Sequence, residues 1–219
     1  MNRYPIFFEE TFLNEGYFQA IPTDKGNWYQ GKLYGTICGI TARDYFKEFS
    51  IAYELYKSNK LELLKDYCMK FYHKKGFWLD GMNDIADSSL AFKMFDFGVN
   101  AGTKTAVKLL QKTLVQHYKS NIKTHGQLDS ETIKETNRCF YLPPKDSSLI
   151  EFIEGESLLY STYVHVLKHW YKKRETFWKF GKTWLRRLKG IKNANDKIEL
   201  AVNSKPTEKI KINPAGLIK

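Results

Sequence analysis

Asn14-Glu15-Gly16-Tyr17, Asp24-Lys25-Gly26-Asn27 and Gly35-Thr36-Ile37-Cys38-Gly39-Ile40-Thr41 follow one another near the start of the chain. Before them, Ile6, Phe7, Phe12 and Leu13 share one side of a short helix that Gly16 ends, which puts Glu15 on the last turn beside the core. Asp24 stands among Thr23, Lys25, Gly26 and Asn27, a solvated turn in which a carboxylate stays ionised. From Asn27 to Thr36, two short aromatic or branched runs flank Gln30-Gly31-Lys32, a hairpin signal. Such a hairpin brings Thr36 back towards Asp24 and Glu15.

Two carboxyls joined by a turn-rich aromatic segment suit glycosidic bond cleavage. One acid protonates the leaving oxygen, and a polar partner places water. The acid must keep its proton near neutral pH, which an apolar, desolvated setting favours, whereas its partner works ionised. The surroundings of Glu15 and Asp24 differ in that sense, and the Thr36 hydroxyl helps hold the attacking water. Tyr17, Trp28, Tyr29 and Tyr34 supply flat apolar faces with polar tips on which sugar rings stack.

The rest of the chain reads as mainly helical. Thr41 with Asp44 three residues on is a capping pattern ahead of Tyr45, Phe46 and Phe49. Further helices are expected from about Leu61 to Tyr72, from Asp84 to Asn100, from Ala106 onward, near 126–137 and from Leu149 to Trp170. The Asp84–Asn100 segment is apolar almost all round and should be the buried axis, with Asn100 either capping it or touching sugar.

Composition narrows the function. At 219 residues the chain can bury a substantial core, and its 16% aromatic content is that of a folded protein. No apolar run is long enough to cross a membrane, and Met1-Asn2-Arg3-Tyr4-Pro5 lacks a signal-peptide core, so export by a holin or a dedicated secretion step is expected. Cys38, Cys68 and Cys139 are odd in number and lack paired spacing, and the five histidines form no ligand motif. Neither a disulfide framework, a metal site nor a cofactor is therefore expected. Ten Lys or Arg residues against the single acid Glu175 lie between Lys168 and Lys192, and Phe177, Phe180, Trp184 and Leu188 recur there at helical spacing. This basic amphipathic helix 168–192 docks on the core with a solvated cationic face or attracts an anionic wall polymer or membrane surface. Nucleic acid is not expected, because no recognition motif accompanies the charge.

The three opening motifs resemble the start of glycoside hydrolase family 108, N-acetylmuramidases of phages and bacteria. The likeness continues through Phe95-Asp96-Phe97-Gly98-Val99-Asn100-Ala101-Gly102, Leu110-Gln111 and Phe180-Gly181-Lys182-Thr183-Trp184-Leu185-Arg186-Arg187. It implies Glu15 as the essential acid. The Glu15-to-Asp24 spacing is also that of phage lysozymes whose active trio is glutamate, aspartate and threonine, although Thr36 follows Asp24 by twelve residues instead of six. Tyr17 stands where the family has the second glycine of a pair.

The resemblance implies a lysozyme-like, mainly α fold with one small β-hairpin beside the active-site cleft. It divides the chain into a catalytic domain, 1–103, a helical peptidoglycan-binding-like domain, 104–190, and a flexible basic tail, 191–219. The implied substrate is the glycan strand of peptidoglycan, cut between N-acetylmuramic acid and N-acetylglucosamine in the periplasm or cell wall, as an endolysin would do. Glu15, Asp24 and Thr36 are the expected catalytic residues, and Tyr17, Trp28, Tyr34 and Asn100 the expected sugar contacts. A lytic transglycosylase, using one glutamate and no water, and a non-catalytic wall-binding protein are the alternatives.

Overall fold

The computed structural model describes residues 2–146, 148, 157–175, 177, 181, 182, 185 and 188. Its elements run α1 (Tyr4–Glu15), β1 (Phe18–Gln19), β2 (Trp28–Tyr29), β3 (Lys32–Leu33), β4 (Thr36–Ile37), β5 (Ile40–Thr41), α2 (Phe46–Lys57), α3 (Leu61–Lys74), α4 (Ser88–Ala101), α5 (Thr103–Tyr118), α6 (Ser130–Cys139) and α7 (Leu158–Lys172). The fold is mainly α with a small antiparallel β region, as the sequence predicts.

α1 carries Pro5 in its first turn, where a missing N–H costs nothing, and stops at Gly16 with φ of 68°. Its inner face is aromatic: Tyr4, Phe7, Phe8 and Phe12 are buried. α1 and α4 run side by side in the same direction and in step. Arg3 Nη1 donates to Ser88 Oγ (2.9 Å), the Phe7 and Phe92 rings meet edge to face (5.3 Å), and Thr11 Oγ1 donates to Asp96 Oδ1 (3.3 Å). Each pair lies one helical turn beyond the last on both helices. Trp78 and Phe95 close this cluster, and truncating Phe7 or Phe92 to alanine would cost about 3–5 kcal/mol.

α4 is buried on nearly every side, as the sequence suggests, but it is not apolar all round. Lys93 and Asp96 lie inside it, their charged ends 3.9 Å apart. α4 begins at Ser88, with Asp87 as a true cap accepting from the Leu90 N–H, and it ends at Gly102. Asn100 is therefore a residue of the last turn and not the cap.

Two sheets replace the single expected hairpin. β2 and β3 pair around Gln30-Gly31 as predicted, Trp28 opposite Leu33 and Tyr29 opposite Lys32. A second sheet has the order β1-β4-β5, with Gln19 opposite Thr36 and Thr36 opposite Thr41. Strands of two residues leave no alternation for a sequence reading to detect. The expected cap at Thr41 is corrected for the same reason: Thr41 belongs to β5, so its hydroxyl and Asp44 close a turn (2.9 Å) and α2 starts only at Phe46.

Beyond Gly102, α5 packs along α4, and α7 lies against both. Tyr163 Oη donates to the Ala106 carbonyl (3.0 Å), while Phe97 meets Trp170 and Tyr171 edge to face. The α6 corner is organised by Gln111, fully buried, which donates to the Gln127 carbonyl and Thr132 Oγ1 and accepts from the Gly126 N–H. Among the described residues no helix is long and apolar enough to cross a membrane. Phe180, Trp184, about half of the basic segment 168–192 and the tail 191–219 lie outside the described residues, as does the expected helical start at 149–156.

Candidate active site

The site is built where the end of α1 meets the β4–β5 turn. Gly16 turns the chain out of α1, the Cys38 N–H donates to the Tyr17 carbonyl (2.6 Å), and the β1–β4 ladder follows at once. Glu15 is thereby pinned between a helix end and a sheet.

Its carboxyl lies against Gly39. A methyl group added at Gly39 would stand 3.0 Å from Glu15 Oε2 and 2.1 Å from Tyr72 Oη, so only glycine leaves room for the two side chains there. The same residue has φ of 77°, which glycine alone adopts without cost. Tyr72, reaching over from α3, donates to the Cys38 carbonyl (2.8 Å) and is itself buried against Phe8. Glu15 is half-buried, and Oε1 is shut off from solvent.

Asp24 sits at the other end of this hairpin. Its Oδ1 accepts from the Gly26 N–H (2.9 Å), capping a single 3₁₀ turn over Lys25–Asn27. Gly26 packs onto Thr41: a methyl there would touch Asp24 Oδ1 at 3.2 Å and Thr41 Cγ2 at 3.3 Å. Gly39 beside Glu15 lies in the β4–β5 turn, and Thr41, on which the Asp24 turn packs, lies two residues on in β5. Arg43 lies near Asp24 and grips Asp44 through Nε and Nη2 (2.8 and 2.9 Å). The hydrogen bond from Arg43 holds the Asp44 carboxyl below the usual carboxylate range.

Thr36 is buried, and its hydroxyl donates to Asn27 Oδ1 (2.6 Å). Asn27 in turn donates from Nδ2 to the Ile21 carbonyl (3.1 Å) and from its N–H to the Asp24 carbonyl (3.1 Å). Thr36 thus braces the turn that carries Asp24.

Of the expected sugar contacts, Tyr17 is 44% exposed, with its ring stacked near Tyr56 and edge-on to Phe12. Phe18 beside it faces Tyr53, so an aromatic surface continues from Glu15 onto α2. Trp28 is exposed, and its indole N–H is held by the Pro22 carbonyl (2.8 Å). Tyr34 packs inward on Phe46 and Phe49 beneath Lys32, a wall ring more than an open platform. Asn100 is exposed on α4, one helical turn beyond Asp96, the residue that Thr11 of α1 contacts.

The sequence reading missed Tyr72, Thr41, Asn27 and the Phe18–Tyr53 surface. Tyr72 and Tyr53 come from helices far along the chain, and only the fold brings them here. Glycine at 39 was the one local signal. A cavity of about 840 Å³ opens elsewhere, lined by Trp78–Gly81, Thr103, Lys104 and His125–Leu128, and none of the candidate residues is among those lining it. Among the described residues no cluster of His, Cys, Asp or Glu is suited to a metal.

Residues 8–102 match the family model described as Glycosyl hydrolase 108, a span that runs from α1 to the glycine ending α4 and contains every candidate residue. Among solved structures, that of Brucella abortus SagA is similar, with a TM-score of 0.55 and 18% sequence identity over 93% of this chain and 97% of that one. At that identity the likeness speaks to the fold. No curated protein matches the chain significantly.

Proposed function

From the premise that residues 8–102 form a glycosyl hydrolase 108 domain, and that the protein is a glycoside hydrolase of the peptidoglycan-cleaving kind, we propose an N-acetylmuramidase with Glu15 as its general acid. The observation that carries this reading is the Glu15 carboxyl seated against Gly39, with one oxygen shut off from solvent and the Asp24 turn packed on the same hairpin through Gly26 and Thr41. A carboxyl fixed between a helix end and a tight turn is suited to delivering a proton to the glycosidic oxygen.

In the proposed reaction Glu15 protonates the oxygen linking N-acetylmuramic acid to N-acetylglucosamine. The C–O bond breaks, and positive charge develops at the anomeric carbon. Asp24 steadies that charge and orients the water that adds there. Carboxyls roughly 6.5–9.5 Å apart leave room for such a water and give inversion of configuration; carboxyls ~5 Å apart favour retention. Thr36 takes a positioning role through Asn27. Tyr17 and the rings beyond it offer stacking faces for the glycan, with Trp28 and Asn100 as further contacts.

The exposed Lys172, Lys173 and Arg174 of the basic segment draw the enzyme towards anionic wall polymer or membrane surface, an attraction that salt weakens. The place of action on this reading is the periplasm or cell wall. Digestion of purified peptidoglycan followed by mass spectrometry of the glycan ends tests the reaction. Reducing N-acetylmuramic acid ends are expected. Anhydro ends, lighter by one water, would replace the hydrolase with a transglycosylase, and no new ends at all would leave only wall binding.

A further inference from the structure

Cys38 and Cys68 have no part in that chemistry, yet the fold brings them together. Cys38 is the first residue of the β4–β5 turn and Cys68 lies on α3; they are 1% and 0% exposed. Tyr72, one helical turn after Cys68, donates to the Cys38 carbonyl at 2.8 Å and so holds the turn on that face of α3. Cys38 beside it, together with burial, pushes the Cys68 thiol well above the ordinary thiol range.

Position 38 is also strained. Its φ is 47°, in the left-handed region where a two-residue hairpin turn takes glycine, asparagine or aspartate at little cost, whereas cysteine is disfavoured by roughly 1 kcal/mol. A cysteine in such a strained place, with a second thiol beside it, points to a use for its sulfur.

We propose that Cys38 and Cys68 are a disulfide site, closed by a disulfide oxidant, which staples the β4–β5 turn to α3. One thiol loses its proton and attacks the oxidant, forming a mixed disulfide and releasing one thiol. The second cysteine then attacks the mixed disulfide at the first, forming the Cys38–Cys68 bond and releasing the other thiol. Two protons and two electrons leave the protein, and the oxidant becomes two thiols. Because the Cys68 thiol resists ionisation and both sulfurs are buried, the exchange proceeds while the chain folds or opens and is slow in the closed native state. Cys139, on α6 beside Ser120 Oγ (3.8 Å), has no cysteine near it among the described residues and serves as an internal control. The inference is independent of the sugar chemistry.

The experiment is refolding of the full chain in a glutathione redox buffer, against the same refolding in excess reductant. The expected product is lighter by about 2 Da, retains one alkylatable thiol at Cys139, and yields the linked 38–68 peptide in a non-reducing digest. The crosslink encloses a loop of about thirty residues, so its Tm should exceed that of the reduced protein by on the order of 10 °C. Cys38→Ser and Cys68→Ser should each abolish the gain. Three free thiols in the refolded wild type, or a bond through Cys139, would overturn the proposal whether or not the variants fold.

Discussion

Two turns in this protein share one backbone and differ in everything they touch. Gln30-Gly31 joins β2 to β3 and Cys38-Gly39 joins β4 to β5; in both, the two residues have positive φ, at 47° and 75° in the first and 47° and 77° in the second. This is the tight turn whose twist matches that of paired strands. A methyl on Gly31 would meet nothing, whereas one on Gly39 would run into Tyr72 and the Glu15 carboxyl. The first glycine answers only to the turn. The second also clears the space in which the proposed acid sits, and that difference separates a generic hairpin from one that builds a site.

The sharpest way to break the comparison is to put alanine in both turns. Gly31→Ala should cost about 1 kcal/mol, the penalty for left-handed backbone, with hydrolysis of peptidoglycan unchanged. Gly39→Ala carries that penalty plus the overlap with Tyr72 and Glu15, so a loss above about 3 kcal/mol and of nearly all activity is expected. Denaturant melts and sacculus hydrolysis measured side by side would show it. Equal behaviour of the two variants would remove the distinction.

Subtler substitutions test the partners of each turn. Thr36→Val leaves Asn27 Oδ1 buried without its donor, and Tyr72→Phe does the same to the Cys38 carbonyl; each should lower stability by about 1–3 kcal/mol. Thr36→Ser, which keeps the hydroxyl on Asn27, should recover most of the stability that Thr36→Val loses. On the other hairpin, Gln30→Asn relieves the left-handed cost and should raise the melting midpoint slightly, by about 0.5 kcal/mol of stability, without touching activity.

How far the sequence revealed these regions follows from distance along the chain. The end of α1 with Glu15, the Gln30-Gly31 hairpin, and the helices α3, α4 and α5 are all local patterns, written in glycine positions and apolar periodicity. The β1-β4-β5 sheet is not, because its strands are two residues long and their partners come from separate motifs. Tyr72 and Cys68 reach the site from α3 with no motif of their own, so the paired thiols were invisible to a count of cysteine spacing. Lys93 and Asp96 were hidden for another reason: hydrophobic period describes which faces are buried, not which polar groups are buried with them.

The smallest expected effect lies away from both turns, in the α5–α7 half. Burial lowers the pKa of His117, and burial followed by the charge of His169 lowers that of His165. A lowered folded value means that the unfolded chain takes up these protons first. Their contribution to stability is therefore full above the ordinary value of 6.5 and is lost as pH falls through the folded values. A modest drop in Tm between pH 7 and 5 is expected, and a double His117→Gln, His165→Gln variant should flatten it. An unchanged slope in that variant would assign the drop to other groups.

The central claim rests on the proton of Glu15. Glu15→Gln keeps the shape of the side chain and removes the acid, so turbidity loss on purified sacculi should fall by a factor of about 10² or more, while the Tm and circular dichroism spectrum stay those of the wild type. A correctly folded Glu15→Gln protein that clears sacculi at the wild-type rate would contradict the account.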